Sequence, residues 1–103
     1  MYGNAAVRRF LLNNLTVGTV SANTTKAVTV DLTADVALPL GCGIVVTPRA
    51  GLAGKLTCYG VRSDNNTLLV EFVNASAADV VAADTVEYDV FVFLPTGELQ
   101  QSV

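Results

Sequence analysis

Lys55-Leu56-Thr57-Cys58-Tyr59-Gly60-Val61-Arg62, then Ser63-Asp64-Asn65-Asn66, then Thr67-Leu68-Leu69-Val70-Glu71-Phe72-Val73-Asn74: the reading of this stretch decides the fold. Two runs rich in β-branched and apolar residues flank a short polar turn, the pattern of a β-hairpin. In the second run Leu68, Val70 and Phe72 fall on one side of a strand and Leu69, Glu71 and Val73 on the other. The flanks read in the same way. Upstream, Ile44-Val45-Val46-Thr47 is apolar on both faces and stops at Pro48, as a strand buried on both sides would. Before it, Leu38-Pro39-Leu40-Gly41-Cys42-Gly43 is a loop, because Pro39 cannot donate to a ladder. Ala27 to Leu32 alternates, with Val28, Val30 and Leu32 on one face, and Leu15 to Val20 alternates before the turn cluster Ser21 to Thr25. Downstream, Ala75 to Thr85 is Ala-rich and reads as a loop or one helical turn. Val86 to Leu94 is the closing strand, ended by Pro95-Thr96-Gly97. Frequent turns between short strands predict an all-β chain, an antiparallel β-sandwich of jelly-roll type over residues 15–103. Val28, Val30, Ile44, Val46, Leu68, Val70, Phe72, Val90 and Val92 are its expected core.

The closing strand carries more than fold information. Val86, Tyr88, Val90, Val92 and Leu94 make a continuous core-facing stripe, whereas the opposite face starts with Glu87 and Asp89 and turns apolar at Phe91 and Phe93. A half-exposed strand stays polar on its outer face, so Phe91 and Phe93 point to a covering segment or subunit. Composition agrees: of 103 residues, 51% are hydrophobic and 15% charged, with a mean hydropathy of +0.50, against about 25% charged in ordinary domains. So much apolar surface on one small domain favours contact with other proteins, the alternative being an unusually apolar monomer surface made soluble by many Thr, Ser and Asn. The first 14 residues read as an arm apart from the domain. As a strand this arm puts Arg9 between Val7 and Leu11 on one face and Arg8 beside Phe10 and Leu12 on the other, so neither face is clean. An arm of this kind suits a neighbouring surface that offers carboxylates to its arginines; an edge strand whose arginines snorkel to water is the alternative. Arg8, Arg9, Phe10, Phe91 and Phe93 are therefore the candidate interface residues.

Other function classes find little support. Net charge is −3, and the six basic residues form no cluster beyond Arg8-Arg9, so neither nucleic acid nor a membrane surface is an expected partner. The N-terminus lacks the order of a signal peptide and no run is long enough to cross a membrane as a helix, which points to synthesis in a cytoplasm and to reduced Cys42 and Cys58. Asn-x-Ser/Thr triplets at Asn14, Asn23, Asn65 and Asn74 read as turn chemistry. The chain has no histidine, which removes the commonest general base and most zinc sites. Cys42 has no histidine to activate it, and Gly41-x-Gly43 lacks the remainder of a phosphate loop. Asp79, Asp84, Glu87 and Asp89 match no calcium-loop spacing and read as a solvated acidic face. Neither an enzyme nor a cofactor is expected.

From Gly43 to Leu94 the chain resembles small β-structured proteins of tailed-phage virions. The likeness lies in Val45-Val46-Thr47-Pro48 at a strand end, the Leu52-Ala53-Gly54 turn, and Gly60-Val61-Arg62 followed by the polar Ser63-Asp64-Asn65. It continues with Phe72-Val73-Asn74 before the small Ala75-Ser76, where that group often has Pro-Thr, and ends with the valine- and aromatic-rich last strand. The resemblance implies a capsid decoration (cement) protein on the virion's capsid surface, commonly a homotrimer, with the major capsid protein as partner and the host cytoplasm as the place of synthesis. The alternative is a receptor- or glycan-binding β-domain of a tail or head fibre. Its one aromatic candidate is Tyr59, with the Asp64-Asn65-Asn66 turn close in sequence.

Overall fold

A computed structural model describes residues 7–33 and 36–95. They form eight strands: β1 (Val7–Leu12), β2 (Gly18–Val20), β3 (Thr25–Asp31), β4 (Gly43–Pro48), β5 (Leu56–Asp64), β6 (Thr67–Asn74), β7 (Val80–Ala82) and β8 (Tyr88–Phe93). All pairings are antiparallel, in sheets ordered β1-β8-β4, β2-β7 and β3-β6-β5. Among the described residues there is no helix. The chain is all-β and compact.

The hairpin expected over Lys55 to Asn74 is β5–β6. Its turn is tighter than the four polar residues suggest. Ser63 and Asp64 belong to β5, and the Asn66 N–H donates to Asp64 Oδ1 at 3.0 Å. Asp64 thus closes the turn as an Asx motif. That backbone hydrogen bond, helped by Thr67, holds the Asp64 carboxyl below its usual range. A register shift between Arg62 and Asp64 adds the local irregularity of a bulge.

Six of the nine expected core residues are buried: Val46, Leu68, Val70, Phe72, Val90 and Val92. Val28, Val30 and Ile44 are only partly buried against them. The reason is position, since β3 and β4 are edge strands while β6 and β8 lie at the centres of their sheets. Tyr88 and Phe72 bring the two sheets together edge to face, with ring centroids 5.9 Å apart. Burial raises the Tyr88 phenol above its ordinary range.

Where β4 passes over β5, Gly60 is required for space rather than for backbone freedom. A Cβ there would lie 2.7 Å from Ile44 Cγ2 and 2.8 Å from Val46 Cγ2. Nearby, Arg62 Nε donates to the Leu38 carbonyl at 2.6 Å, which ties the loop before β4 to β5.

Asn74, whose side-chain amide is buried, locks the far end of β6. Its amide donates to the carbonyls of Val20 (2.9 Å) and Ala78 (2.9 Å), and its Oδ1 accepts from the Ser76 N–H (3.0 Å) and hydroxyl (2.7 Å). The Asn-Ala-Ser triplet is thus a buried fastening between the β2–β3 turn and the segment after β6.

Two segments differ from the sequence reading. The Ala-rich stretch holds a strand, β7, which pairs with β2. The strand expected over Leu15 to Val20 shortens to β2, because Gly18 adopts φ 73°; Leu15 and Val17 are buried outside any ladder. The arm drawn over residues 1–14 also reads differently. Its residues 7–12 are β1, which pairs along its whole length with β8 and packs Phe10 and Leu12 against the core. Residues 1–6 of that arm lie outside the described residues. An antiparallel ladder to the central β8 outweighs the mixed faces, and the arginines stay exposed at the sheet edge, as in the snorkelling alternative.

Candidate interaction face

The period-two alternation of β1, β8 and β4 divides their side chains between two faces. Phe10, Leu12, Ile44, Val46, Tyr88, Val90 and Val92 face the core. The outer face is built in rows by the register: Val7–Phe93–Gly43, then Arg9–Phe91–Val45, then Leu11–Asp89–Thr47. Val7 (50% exposed), Val45 (47%), Leu11 (40%) and Phe93 (40%) are open to solvent, and Phe91 is half-buried between Arg9 and Val45. Gly43 leaves one flank of Phe93 without a neighbouring side chain, since a Cβ there would only touch Phe93 Cβ at 3.6 Å. One end of this face is thus a shallow apolar surface.

The other end is charged and internally paired. Asp89 Oδ1 accepts from Arg9 Nε (3.0 Å) and Nη2 (2.7 Å) and from Arg49 Nη2 (3.0 Å), while Oδ2 accepts from Arg49 Nε (3.0 Å). Glu87 stands 3.9 Å from Arg49 Nη1. Asp89 sits on the central strand, so a single carboxylate ties both flanking strands, the bidentate geometry in which arginine excels. The hydrogen bond from Arg49, then that from Arg9, holds the Asp89 carboxyl below its usual range, and the same contact raises Arg49.

The five sequence-chosen residues do not form one surface. Phe91 and Phe93 lie on this outer face, with Arg9 beside them. Arg9 spends its guanidinium on Asp89 of its own chain, so the carboxylate expected from a neighbour is supplied internally. Phe10 points the other way and packs against the core, and Arg8 lies on that same inner side, exposed at the edge. The sequence reading missed Val7, Leu11, Val45 and Arg49 as members of the face; it set Asp89 on the same side as Phe91 and Phe93 but missed its pairing with Arg9 and Arg49. For Val45 the signal was present but misassigned. Ile44-Val45-Val46 looked buried on both faces, yet β4 covers only one.

Both cysteines are free and half-buried. Burial raises the Cys58 thiol above its ordinary value, and its Sγ approaches the Val46 carbonyl at 4.0 Å. No cavity opens among the described residues, and no three His, Cys, Asp or Glu side chains gather among them as a metal site. Asp79 instead accepts the Ala22 N–H at 2.9 Å. Tyr59 is exposed on the outer face of β5, but the five residues to Asp64 correspond to about 17 Å of strand, so tyrosine and turn do not share one platform.

Fold and face together define a small all-β protein with an open, apolar sheet face closed at one end by an ion-pair cluster. Neither a family model, nor a curated protein, nor a solved structure matches the chain.

Proposed function

We propose that this chain is a non-enzymatic structural protein of a phage virion, a capsid decoration protein that docks through the outer face of β1-β8-β4. The observation that carries the docking role is the group of open apolar side chains Val7, Val45 and Phe93 around a half-buried Phe91, with Leu11 in the next row beside Asp89. Water-exposed apolar surface of this continuity is stabilised by a covering partner. The phage setting rests on the resemblance of Gly43 to Leu94 to virion β-proteins, and the partner it implies is the major capsid protein. The finer architecture belongs to the same proposal. The inner faces of β1-β8-β4 and β3-β6-β5 form the two layers of a jelly-roll-like sandwich, a reading supported by the close approach of Gly60 to Ile44 and Val46.

The fibre-domain alternative is less favoured because Tyr59 stands apart from the polar hairpin turn. Quantitative mass spectrometry of purified virions separates the two. A decoration protein is present at a copy number comparable to that of the major capsid protein, and a fibre domain at a small fraction of it. Absence from virions overturns both. The docking face is tested by Val45→Ser combined with Phe93→Ser. Full burial of a large apolar side chain contributes roughly 1.5–3 kcal/mol, and each of these is already about half covered, so capsid affinity should fall by about tenfold or more. The variant should keep its far-ultraviolet circular dichroism. Unchanged binding would place the docking surface elsewhere.

A further inference from the structure

The backbone of β1 faces two ways. The Arg49 N–H donates to the Glu87 carbonyl at 2.8 Å, continuing the β4–β8 register as a hydrogen-bonded pair. In an antiparallel ladder such pairs alternate with pairs whose peptide groups point away. Asp89, Phe91 and Phe93 therefore bond toward β4, and Tyr88, Val90 and Val92 bond toward β1, where they meet Leu12, Phe10 and Arg8. The peptide groups of Val7, Arg9 and Leu11 are left pointing outward. Among the described residues, no strand pairs with that edge.

The other long edges carry the devices that discourage strand addition. β4 ends in Pro48, which has no N–H, and its Val46 carbonyl is approached by the Cys58 thiol. β5 has the bulge between Arg62 and Asp64. β3 carries Lys26, whose ammonium reaches the Thr19 carbonyl of β2 at 3.5 Å, and ends at Asp31. On β1 the only guards are the two arginines, and Arg9 is folded back onto Asp89.

The sequence of β1 is also self-complementary about Phe10. Arg8-Arg9 precede it and Leu11-Leu12 follow it. Laid antiparallel on a second copy with Phe10 opposite Phe10, the strand sets each Arg9 against the other copy's Leu11 and each Arg8 against its Leu12. This register uses the outward peptide groups of Arg9 and Leu11 as its hydrogen-bonded pairs, as the alternation requires. Recentring it on Arg9 or Arg8, a slip of two or four residues, would set like charges directly opposite each other, which is unfavourable; recentring it on Leu11 would give up the aromatic Phe10–Phe10 pair for Phe10 against Leu12.

We infer that β1 is a homodimer edge: two copies pair β1 to β1 about a twofold through Phe10, giving one sheet ordered β4-β8-β1-β1-β8-β4. The twofold stands normal to the sheet, so the apolar faces of both copies lie side by side as one docking surface. The inference does not depend on what that surface binds. A trimer, the order the resemblance implies, cannot be made by this contact, because twofold edge pairing closes at two copies.

Sedimentation equilibrium of the full chain, with Leu11→Glu and Leu11→Arg as exposed, size-matched variants, tests it. The expected species has twice the 10.7 kDa chain mass. Glu at 11 faces Arg9 of the other copy and tightens the dimer, and Arg at 11 weakens it. With two such cross-strand pairs per dimer the dissociation constants of the variants should differ on the order of tenfold. Within one chain Leu11 also faces Asp89, so urea unfolding of the dilute monomer should move in the opposite sense, Arg stabilising and Glu destabilising. A monomer at high concentration, a trimer, or dissociation constants that are equal or ordered like the monomer stabilities would each overturn the pairing.

Discussion

Replacing Gly60 by Ala adds one methyl group at the closest approach of β4 and β5. At most strand positions such a change is mild, since it reduces the freedom of the unfolded chain and stabilises by about 0.4–1 kcal/mol where the backbone accepts it. Here the new carbon would stand 2.7 Å from Ile44 Cγ2, 2.8 Å from Val46 Cγ2 and 3.4 Å from Leu68 Cδ1. Optimal carbon–carbon separation is about 3.5–4.0 Å, so the first two contacts overlap by about 0.7–1.3 Å. Both belong to β-branched side chains whose rotamers cannot swing aside freely. Overpacking of this kind costs about 1–3 kcal/mol, which exceeds the entropic gain, so a net destabilisation of about 1–2 kcal/mol is expected. In a domain of this size that lowers the melting temperature by about 4–16 °C. Urea unfolding followed by circular dichroism measures it, and Val46→Ala in the same background gives the mechanism. Removing Cγ2 of Val46 relieves one of the two overlaps, so the double variant should be more stable than the sum of the single effects by at least about 0.5 kcal/mol. Wild-type stability in Gly60→Ala, or strict additivity with Val46→Ala, would refute the packing of β4 on β5 at this point.

Two further outcomes follow from the polar contacts. Asn74→Ala strips partners from the Val20 and Ala78 carbonyls and from Ser76, so thermal or urea unfolding should register a loss of about 2–4 kcal/mol. Asp89 has a folded pKa below its unfolded value of about 3.9. The stability it contributes is therefore present above that unfolded value and disappears as pH falls through the folded one; Asp89→Asn should flatten this acid limb of the stability–pH curve and weaken the protein at neutral pH.

Much of the fold was legible because its signals are local. The hairpin from Lys55 to Asn74 combines period-two alternation with a polar turn, and β6 begins and ends at the expected Thr67 and Asn74. The β8 stripe through Tyr88, Val90 and Val92 was equally plain, because it is buried on the side that faces the core. What escaped was set by long-range pairing. β7 has three residues, and nothing in Val80-Val81-Ala82 announces a strand until Gly18-Thr19-Val20 lies beside it. The role of Asn74 depends on carbonyls 54 residues upstream and four downstream, which no window around it contains.

The outer face of β8 shows why the site was only half visible. Phe91 and Phe93 broke the polar alternation and so marked an apolar outer face, but a strand reports only its own column of residues. The width of the face comes from register, which sets Val7 and Gly43 beside Phe93, and Arg9 and Val45 beside Phe91. Register also turned the meaning of the arginines around. Read alone, Arg8-Arg9 within an apolar segment looks like a basic arm seeking an acidic neighbour. Paired with β8, Arg9 lies one row from Asp89 and Arg49 approaches from β4, so two of the chain's few cations close on a carboxylate of the central strand. With those charges satisfied internally, the proposed docking on this face would fall to its apolar end. Its specificity then lies in the shape around Phe93 and the gap at Gly43 rather than in charge attraction, and salt should weaken binding there only slightly.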